Sequence, residues 1–368
     1  MDLSTLPAMD VGARAARVRS GFADAGVDAL LVTRLPNVRY LTGFTGSAGI
    51  VALTADALVL VTDGRYAEQS RAQLAAAGVH GRVAIGATAD DQRAALVDAV
   101  AGCPRLGLEA HGVTWAQQRE YATWFAGHEL VPTHDLVEAE RRVKEPAEVA
   151  RIKAACGIAD DALAELLPTL AAGPTERAFA LDLEFGMRRR GATKVSFDPI
   201  VAAGPNGALP HARPSERPIG RGELVVIDFG CVVDGYCSDM TRTVSVGDPG
   251  ADAVHLWDTV LASQRAGRAA VAPGVECSAV DGASRSVIDD AGFGDAFVHG
   301  TGHGVGLEIH EAPRVARTAA GTLAPGYVVT VEPGVYLPGV GGVRIEDTLV
   351  VTSDGAVALT EFPKQLVI

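Results

Sequence analysis

The sequence is poor in lysine, has no excess of positive charge and contains no long apolar run. Four of its 32 basic residues are lysine (Lys144, Lys153, Lys194 and Lys364), a bias that fits coding preference and points to no function. The 45 acids outnumber the basic residues, for a net charge of −13 over 368 residues. Nucleic acids and anionic membranes both call for a basic face, so neither is an expected partner. The five cysteines (Cys103, Cys156, Cys231, Cys237 and Cys277) are odd in number and form no C-x-x-C. Buried thiols in a reducing, cytoplasmic setting fit that usage better than a disulfide framework. Met1 to Asp10 carries two acids and no apolar h-region, and no stretch approaches the length of a membrane span, so neither an export signal nor a transmembrane helix is expected. Phe44 to Gly49 reads as a loop, but no Gly-Lys-Ser/Thr follows it, and Thr45-Gly-Ser-Ala-Gly49 misses Gly-x-Ser-x-Gly by one residue. Phosphate-loop and serine-hydrolase chemistry therefore find no support.

What is present is a folded chain: 48% of residues are hydrophobic and 21% charged, and the length exceeds one ordinary core. Two domains are expected, residues 1–140 and 141–368, with the boundary in the charged stretch Arg141 to Pro146. The first reads as α/β, with strands at Ala29–Val32, Ile50–Leu53, Ala57–Val61 and Arg105–Glu109 and helical cover between them. The second opens on a helix carrying Val149, Ile152, Cys156, Leu163 and Leu166 at helical spacing, which Pro168 stops or kinks. Another helix follows from about Thr175 to Arg190, terminated by Gly191.

An internal repeat lies in the second domain. Glu223-Leu-Val-Val-Ile-Asp228-Phe-Gly230 is similar to Tyr327-Val-Val-Thr-Val-Glu332-Pro-Gly334, and each leads through a turn to an acid followed two residues later by Thr: Asp239 with Thr241, Glu346 with Thr348. Ala172-Gly-Pro174 and Ala272-Pro-Gly274 each separate two helical stretches. The pattern predicts an α+β domain of two related ααββ halves, whose pseudo-two-fold brings two acid-bearing hairpins to one centre. In the first hairpin, Asp234-Gly235 is a two-residue turn signal that pairs residue 228 with 241 and puts Asp239 diagonally across from Asp228, on one face. Carboxylates on Cα atoms about 7–8 Å apart can share a cation, either a metal ion or an arginine. In the second, Glu332 and Glu346 share a face only if the loop within Leu337–Gly342 holds an odd number of residues or a bulge.

Between the hairpins, His299-Gly-Thr-Gly-His303-Gly-Val-Gly-Leu-Glu-Ile-His310 places three of nine histidines within twelve residues of a glycine-rich loop. Core filling does not use histidine this way, and the spacing is not His-Glu-x-x-His. His211 precedes Asp228 as His310 precedes Glu332, one imidazole per hairpin. Four carboxylates and one imidazole suit two divalent ions; oxygen-rich ligation favours Mn²⁺, with Zn²⁺, Co²⁺ or Fe²⁺ as alternatives. Two such ions activate water and polarise a carbonyl, and further histidines can stabilise the resulting intermediate or protonate a leaving nitrogen.

At these residues the sequence resembles the pita-bread metallopeptidases of the Xaa-Pro branch, aminopeptidase P and prolidase. Asn37-Val-Arg-Tyr40-Leu-Thr-Gly-Phe-Thr-Gly46 and Thr62-Asp-Gly-Arg-Tyr66 resemble the creatinase-type N-terminal domain. The resemblance implies a ligand set of Asp228, Asp239, His303, Glu332 and Glu346, with Asp239 and Glu346 bridging and Glu332 also taking the proton of the attacking water. It implies that His211 and His310 contact the substrate and the intermediate, that His299 lies near the scissile carbonyl as in aminopeptidase P-like members, and that Arg344 lies on the proline side. The residues themselves allow Arg344 equally to be the ion-pair partner of a ligand carboxylate. The implied substrate is a peptide with proline second, whose tertiary amide lacks the N–H that general peptidases use. The leading expectation is an Xaa-Pro aminopeptidase, the alternative an Xaa-Pro dipeptidase. A creatinase-like non-peptidase or a binding protein on the same fold is a remote third, because such relatives lose ligands. The family's N-terminal domain implies a homodimer or dimer of dimers.

Overall fold

The apolar run Ala29–Val32 forms β1, all four residues fully buried, as a strand covered on both faces requires. β2 (Ile50–Thr54) and β3 (Leu58–Thr62) form an antiparallel hairpin beside it, and β4 (Arg82–Ile85), β5 (Arg105–Glu109) and β6 (Glu129–Thr133) complete a six-stranded mixed sheet in the order β4-β3-β2-β1-β5-β6. Its helices start on hydrogen-bonded caps: Thr88 with Asp91 and Thr114 with Gln117 form reciprocal capping boxes. This computed structural model describes residues 3–368; Met1 and Asp2, part of the stretch read for an export signal, lie outside the described residues.

The sheet belongs to a unit spanning Ala8–Arg141, and the chain from Arg142 to Ile368 forms the other. Residues 3–7 fall with the second unit: Leu6 packs on its core and Arg151 Nη1 donates to Pro7 O at 2.9 Å. A division at 140/141 places residues 3–7 with the leading domain, because so short a stretch carries no signal of where it packs.

In the second unit the helix Pro146–Leu166 starts on proline and gives way to a 3-10 turn, Leu167–Ala172, that carries Pro168, and the helix Glu176–Arg189 follows it. β7 (Lys194–Val195) and β8 (Ile200–Ala203) lead to the first hairpin, β9 (Leu224–Phe229) and β10 (Cys231–Val233) returning as β11 (Tyr236–Cys237) and β12 (Met240–Ser245). Asp234 (φ 44°) and Gly235 (φ 83°) make the left-handed two-residue turn expected of Asp-Gly, and Thr241 faces Asp228. Gly230 allows the strands to cross closely there, since a Cβ would sit 1.9 Å from Ser238 O.

The same order then repeats: helices Ala251–Ala270 and Cys277–Asp290, then β13 (Gly302–Gly304) and β14 (Glu311–Val315), then the second hairpin. That hairpin runs through β15 (Val328–Val331), β16 (Gly334–Leu337), β17 (Gly341–Arg344) and β18 (Asp347–Val351), with β19 (Ala356–Ala358) at its edge. Leu337 faces Gly341 across a three-residue loop, Gly334 faces Arg344 and Val331 faces Asp347. The odd loop count puts Glu332 opposite Glu346. The hairpins are stitched to each other by Glu346 N to Thr241 O (3.1 Å), Thr348 Oγ1 to Asp239 O (2.8 Å) and Thr243 Oγ1 to Arg344 O (2.8 Å). All five cysteines are free, and burial pushes the Cys231 and Cys237 thiols up to about 12, which makes them unreactive. Among the described residues no helix is long and apolar enough to cross a membrane.

Candidate metal centre and catalytic cavity

The hairpin crossing gathers carboxylates that strand propensity alone would keep apart. Asp228, at the end of β9, is buried; its Oδ2 accepts from Arg344 Nη2 at 2.5 Å. Glu346, between β17 and β18, accepts from Thr241 Oγ1 at 2.8 Å through Oε2. Asp239 joins them, and one carboxylate oxygen from each of the three falls within 4.8 Å of the others. Asp228 Oδ1 and Glu346 Oε1 are buried with no hydrogen-bond partner. Orphaned buried oxygens of this kind are costly, and a cation satisfies them.

Glu332 and His303 complete the cluster. His303 Nε2 stands 3.3 Å from Glu332 Oε1 and 3.5 Å from Asp239 Oδ2, while its Nδ1 is 3.0 Å from Gly304 O. Nδ1, bound to a backbone carbonyl, carries one proton, so Nε2 is the nitrogen that faces the acids and, once it gives up its own proton, can serve as a ligand atom. Burial and the neighbouring negative charges push Asp239 and Glu346 well above the ordinary carboxylate range. Burial also raises Asp228, against the opposing charge of Arg344. Burial acts the same way on Glu332, but the hydrogen bond and charge of His303 outweigh it and bring it to about 2. Without a cation the acids cannot all be ionised. The donor set therefore fits divalent metal ions. Chelation should lower the melting temperature by at least about 5 °C, because an ion bound only by the folded chain adds its binding energy to stability. An unchanged melting transition in EDTA, read by calorimetry, would contradict this.

The remaining candidates line one cavity of about 740 Å³ together with Asp228, Asp239, His303 and Glu332; Glu346 lies deeper. His310 packs edge-on against His303, ring centroids 4.4 Å apart, and His211 lies on the same wall beside Pro210. His299 is less free: its Nδ1 is 2.7 Å from Gly300 O and its Nε2 is 2.9 Å from Tyr336 Oη. Burial keeps His299 neutral and pushes Tyr336 up to about 12, so the tyrosine hydroxyl donates to Nε2. Arg344 also lines the cavity, but its guanidinium is committed to protein: Asp228, Tyr336 Oη (2.6 Å), Thr241 Oγ1 (3.2 Å) and Pro210 O (3.2 Å). The ion-pair alternative read from the sequence describes its position.

The site also contains residues the sequence reading did not select. Tyr336 was accessible by strand parity, four residues beyond Glu332. Arg314 was not, because its place depends on the pairing of β14 with β13, where it faces His303 directly. Arg314 is exposed, and among the described residues it makes no ion pair.

The model of metallopeptidase family M24 matches residues 150–353, and that of the creatinase/prolidase N-terminal domain matches residues 14–143. A curated Xaa-Pro dipeptidase from Pyrococcus horikoshii is 34% identical, over 93% of this chain and 95% of its own. The solved Xaa-Pro dipeptidase from Bacillus anthracis superposes with a TM-score of 0.93 at 39% identity, covering 97% of this chain and 100% of its own. The X-Pro aminopeptidase from Thermotoga maritima superposes with a TM-score of 0.85 at 34% identity, covering 93% and 98%.

Proposed function

The chain belongs to metallopeptidase family M24 and carries that family's creatinase/prolidase N-terminal domain, and from that premise we propose that it hydrolyses Xaa-Pro bonds, with dipeptides as its substrates. The observation that carries the dipeptide reading is Arg314. It is an unpaired guanidinium on the cavity wall, directly across an antiparallel pair from the proposed ligand His303. Side chains so placed share a face, so a substrate bound at the centre has a cation beside it with which its C-terminal carboxylate can pair. The dipeptidase names of the two relatives above support the same range.

Asp228, Asp239, His303, Glu332 and Glu346 would hold two divalent ions, Mn²⁺ before Zn²⁺, Co²⁺ or Fe²⁺ on the oxygen-rich donor set. Such ions, when bound, supply Lewis acidity to the scissile carbonyl and lower the pKa of the attacking water. Glu332 takes the proton of that water. Arg344 neutralises Asp228 and, through Tyr336, fixes the ring of His299 in its neutral form beside the carbonyl. His310 and His211, on the open wall, contact the substrate and can donate to the tetrahedral oxygen or the leaving proline nitrogen. Free thiols throughout support a cytoplasmic setting, and the N-terminal domain supports a homodimer or dimer of dimers.

The aminopeptidase reading rests on the cavity volume, which is within the range of about 300–1,000 Å³ that takes drug-sized ligands and exceeds what a dipeptide fills. Turnover of Ala-Pro against Ala-Pro-Ala with Mn²⁺ separates the two: the dipeptide is expected to be cleaved and the tripeptide to be poor. Efficient cleavage of the tripeptide would establish the aminopeptidase, and cleavage of neither would sink the peptidase reading. Arg314→Met should raise KM for Ala-Pro about tenfold or more while leaving kcat and metal content near wild type, the pattern of a lost charge-assisted contact. An unchanged KM would remove Arg314 from the site.

A further inference from the structure

The helix Cys277–Asp290 lies behind the cavity wall and contributes no residue to the cavity. Its buried face nonetheless carries an ion pair whose remaining hydrogen bonds reach the segment that carries His299. Arg285 grips Asp281 side-on, Nε to Oδ2 at 2.8 Å and Nη2 to Oδ1 at 3.0 Å, one turn apart on the helix. The rest of the guanidinium is spent on the loop that carries His299. Nη1 donates to Phe297 O at 3.0 Å, Nη2 donates to His299 O at 2.7 Å, and the guanidinium stacks 4.0 Å over the Phe297 ring. Asp281 Oδ1 also accepts from Thr301, from the backbone N–H at 3.0 Å and from Oγ1 at 2.9 Å. Thr301 O in turn accepts from Glu332 N at 2.7 Å. One carboxylate and one guanidinium thus hold the main chain on both sides of Gly300 and, through Thr301, the main chain of Glu332.

A buried ion pair is weak evidence for stability, because a well-packed apolar pair of similar volume is often as good. What an apolar pair cannot do is donate to two carbonyls and accept from two groups of a glycine-rich segment that has no regular structure of its own before β13. We propose that Asp281 and Arg285 are positioning residues, a clamp that sets the His299 backbone and the Glu332 backbone in register with each other. The inference rests on the peptidase reading for what the clamped residues do, but not for the clamp itself. Outer partners of this kind, when removed, typically change activity or metal affinity about 10–100-fold.

Arg285→Lys keeps the charge and loses the planar fork that serves Asp281 and two carbonyls at once. Thr301→Val keeps shape and backbone N–H and removes only Oγ1. Two readouts are compared in protein that is folded by circular dichroism: kcat and KM on the best Xaa-Pro substrate, and Mn²⁺ affinity of chelator-stripped enzyme by titration calorimetry. Arg285→Lys is expected to lower kcat about 10–100-fold and Mn²⁺ affinity about tenfold, with KM within about threefold; Thr301→Val shifts both in the same direction by less. Wild-type kcat and Mn²⁺ affinity in folded Arg285→Lys would overturn the clamp. If that variant does not fold, wild-type values in Thr301→Val would overturn it. If wild-type enzyme cleaves no Xaa-Pro peptide, the functional reading falls, and the Mn²⁺ titration still decides the clamp.

Discussion

Asp239→Asn should abolish hydrolysis, with a loss of about 10³-fold or more at saturating Mn²⁺, because removing several kcal/mol of transition-state charge stabilisation costs a factor of ten for each 1.4 kcal/mol. The substitution changes no volume. It replaces a two-oxygen anion by an amide with one acceptor and an NH₂ group that no cation can use. Asp239 occupies the middle of the cluster, 3.5 Å from His303 Nε2 and within 4.8 Å of oxygens from Asp228 and Glu346, so no neighbour can replace it. The same change should make the metal-free protein more stable near neutral pH, since Asp239, held well above the ordinary carboxylate range, must take up a proton on folding there and an amide need not. Activity within tenfold of wild type, with Mn²⁺ saturating, would refute the assignment of Asp239 as a ligand.

Asp347→Ala should be the most destabilising single change, at about 3–5 kcal/mol, the cost of leaving a buried cation without its partner. Asp347 is fully buried next to Glu346 and accepts from three cationic side chains. Its Oδ1 accepts from Arg242 Nη2 (3.2 Å) and Lys364 Nζ (2.9 Å), and its Oδ2 from Arg268 Nη1 (3.1 Å), Lys364 Nζ (2.7 Å) and Gln264 Nε2 (3.0 Å). Arg242, 2% exposed, cannot reach water if the anion is lost, and it also donates to Thr241 O and Glu346 O between the two hairpins. The effect should therefore spread from stability to the centre itself. Thermal unfolding would measure it, and a loss under about 1 kcal/mol would show that the cations relax into solvent.

The strands of the first unit that are apolar and buried could be read directly, the expected Ala29–Val32, Ile50–Leu53, Ala57–Val61 and Arg105–Glu109 agreeing with the observed strands to within one residue at each end. The edge strands Arg82–Ile85 and Glu129–Thr133 could not, because half-exposed residues and Pro132 give no alternation to follow. In the second unit, Asp234-Gly235 settled the first hairpin by turn chemistry, and repeat logic located the second. Its register waited on a loop whose odd residue count becomes definite only when Leu337 is seen to face Gly341. The glycine-rich histidine loop signalled a built site through composition alone. Nothing in the sequence marks Asp281, Arg285, Asp347 or Arg314, because their partners are set by strand pairing or by contacts up to 105 residues away. A sequence shows which side chains can be ligands far better than it shows what holds them.

The two hairpins share an architecture but not a register. Asp228 faces Thr241, two residues off from Asp239, whereas Glu332 faces Glu346 head-on. A perfect duplication would have made two interchangeable pockets. That slip of one strand period breaks the symmetry: one half holds its acid against a permanent cation, Arg344, and the other against a titratable one, His303. The two halves of the centre are thereby chemically distinct before any ion arrives, and one fold element, used twice, can do two different jobs.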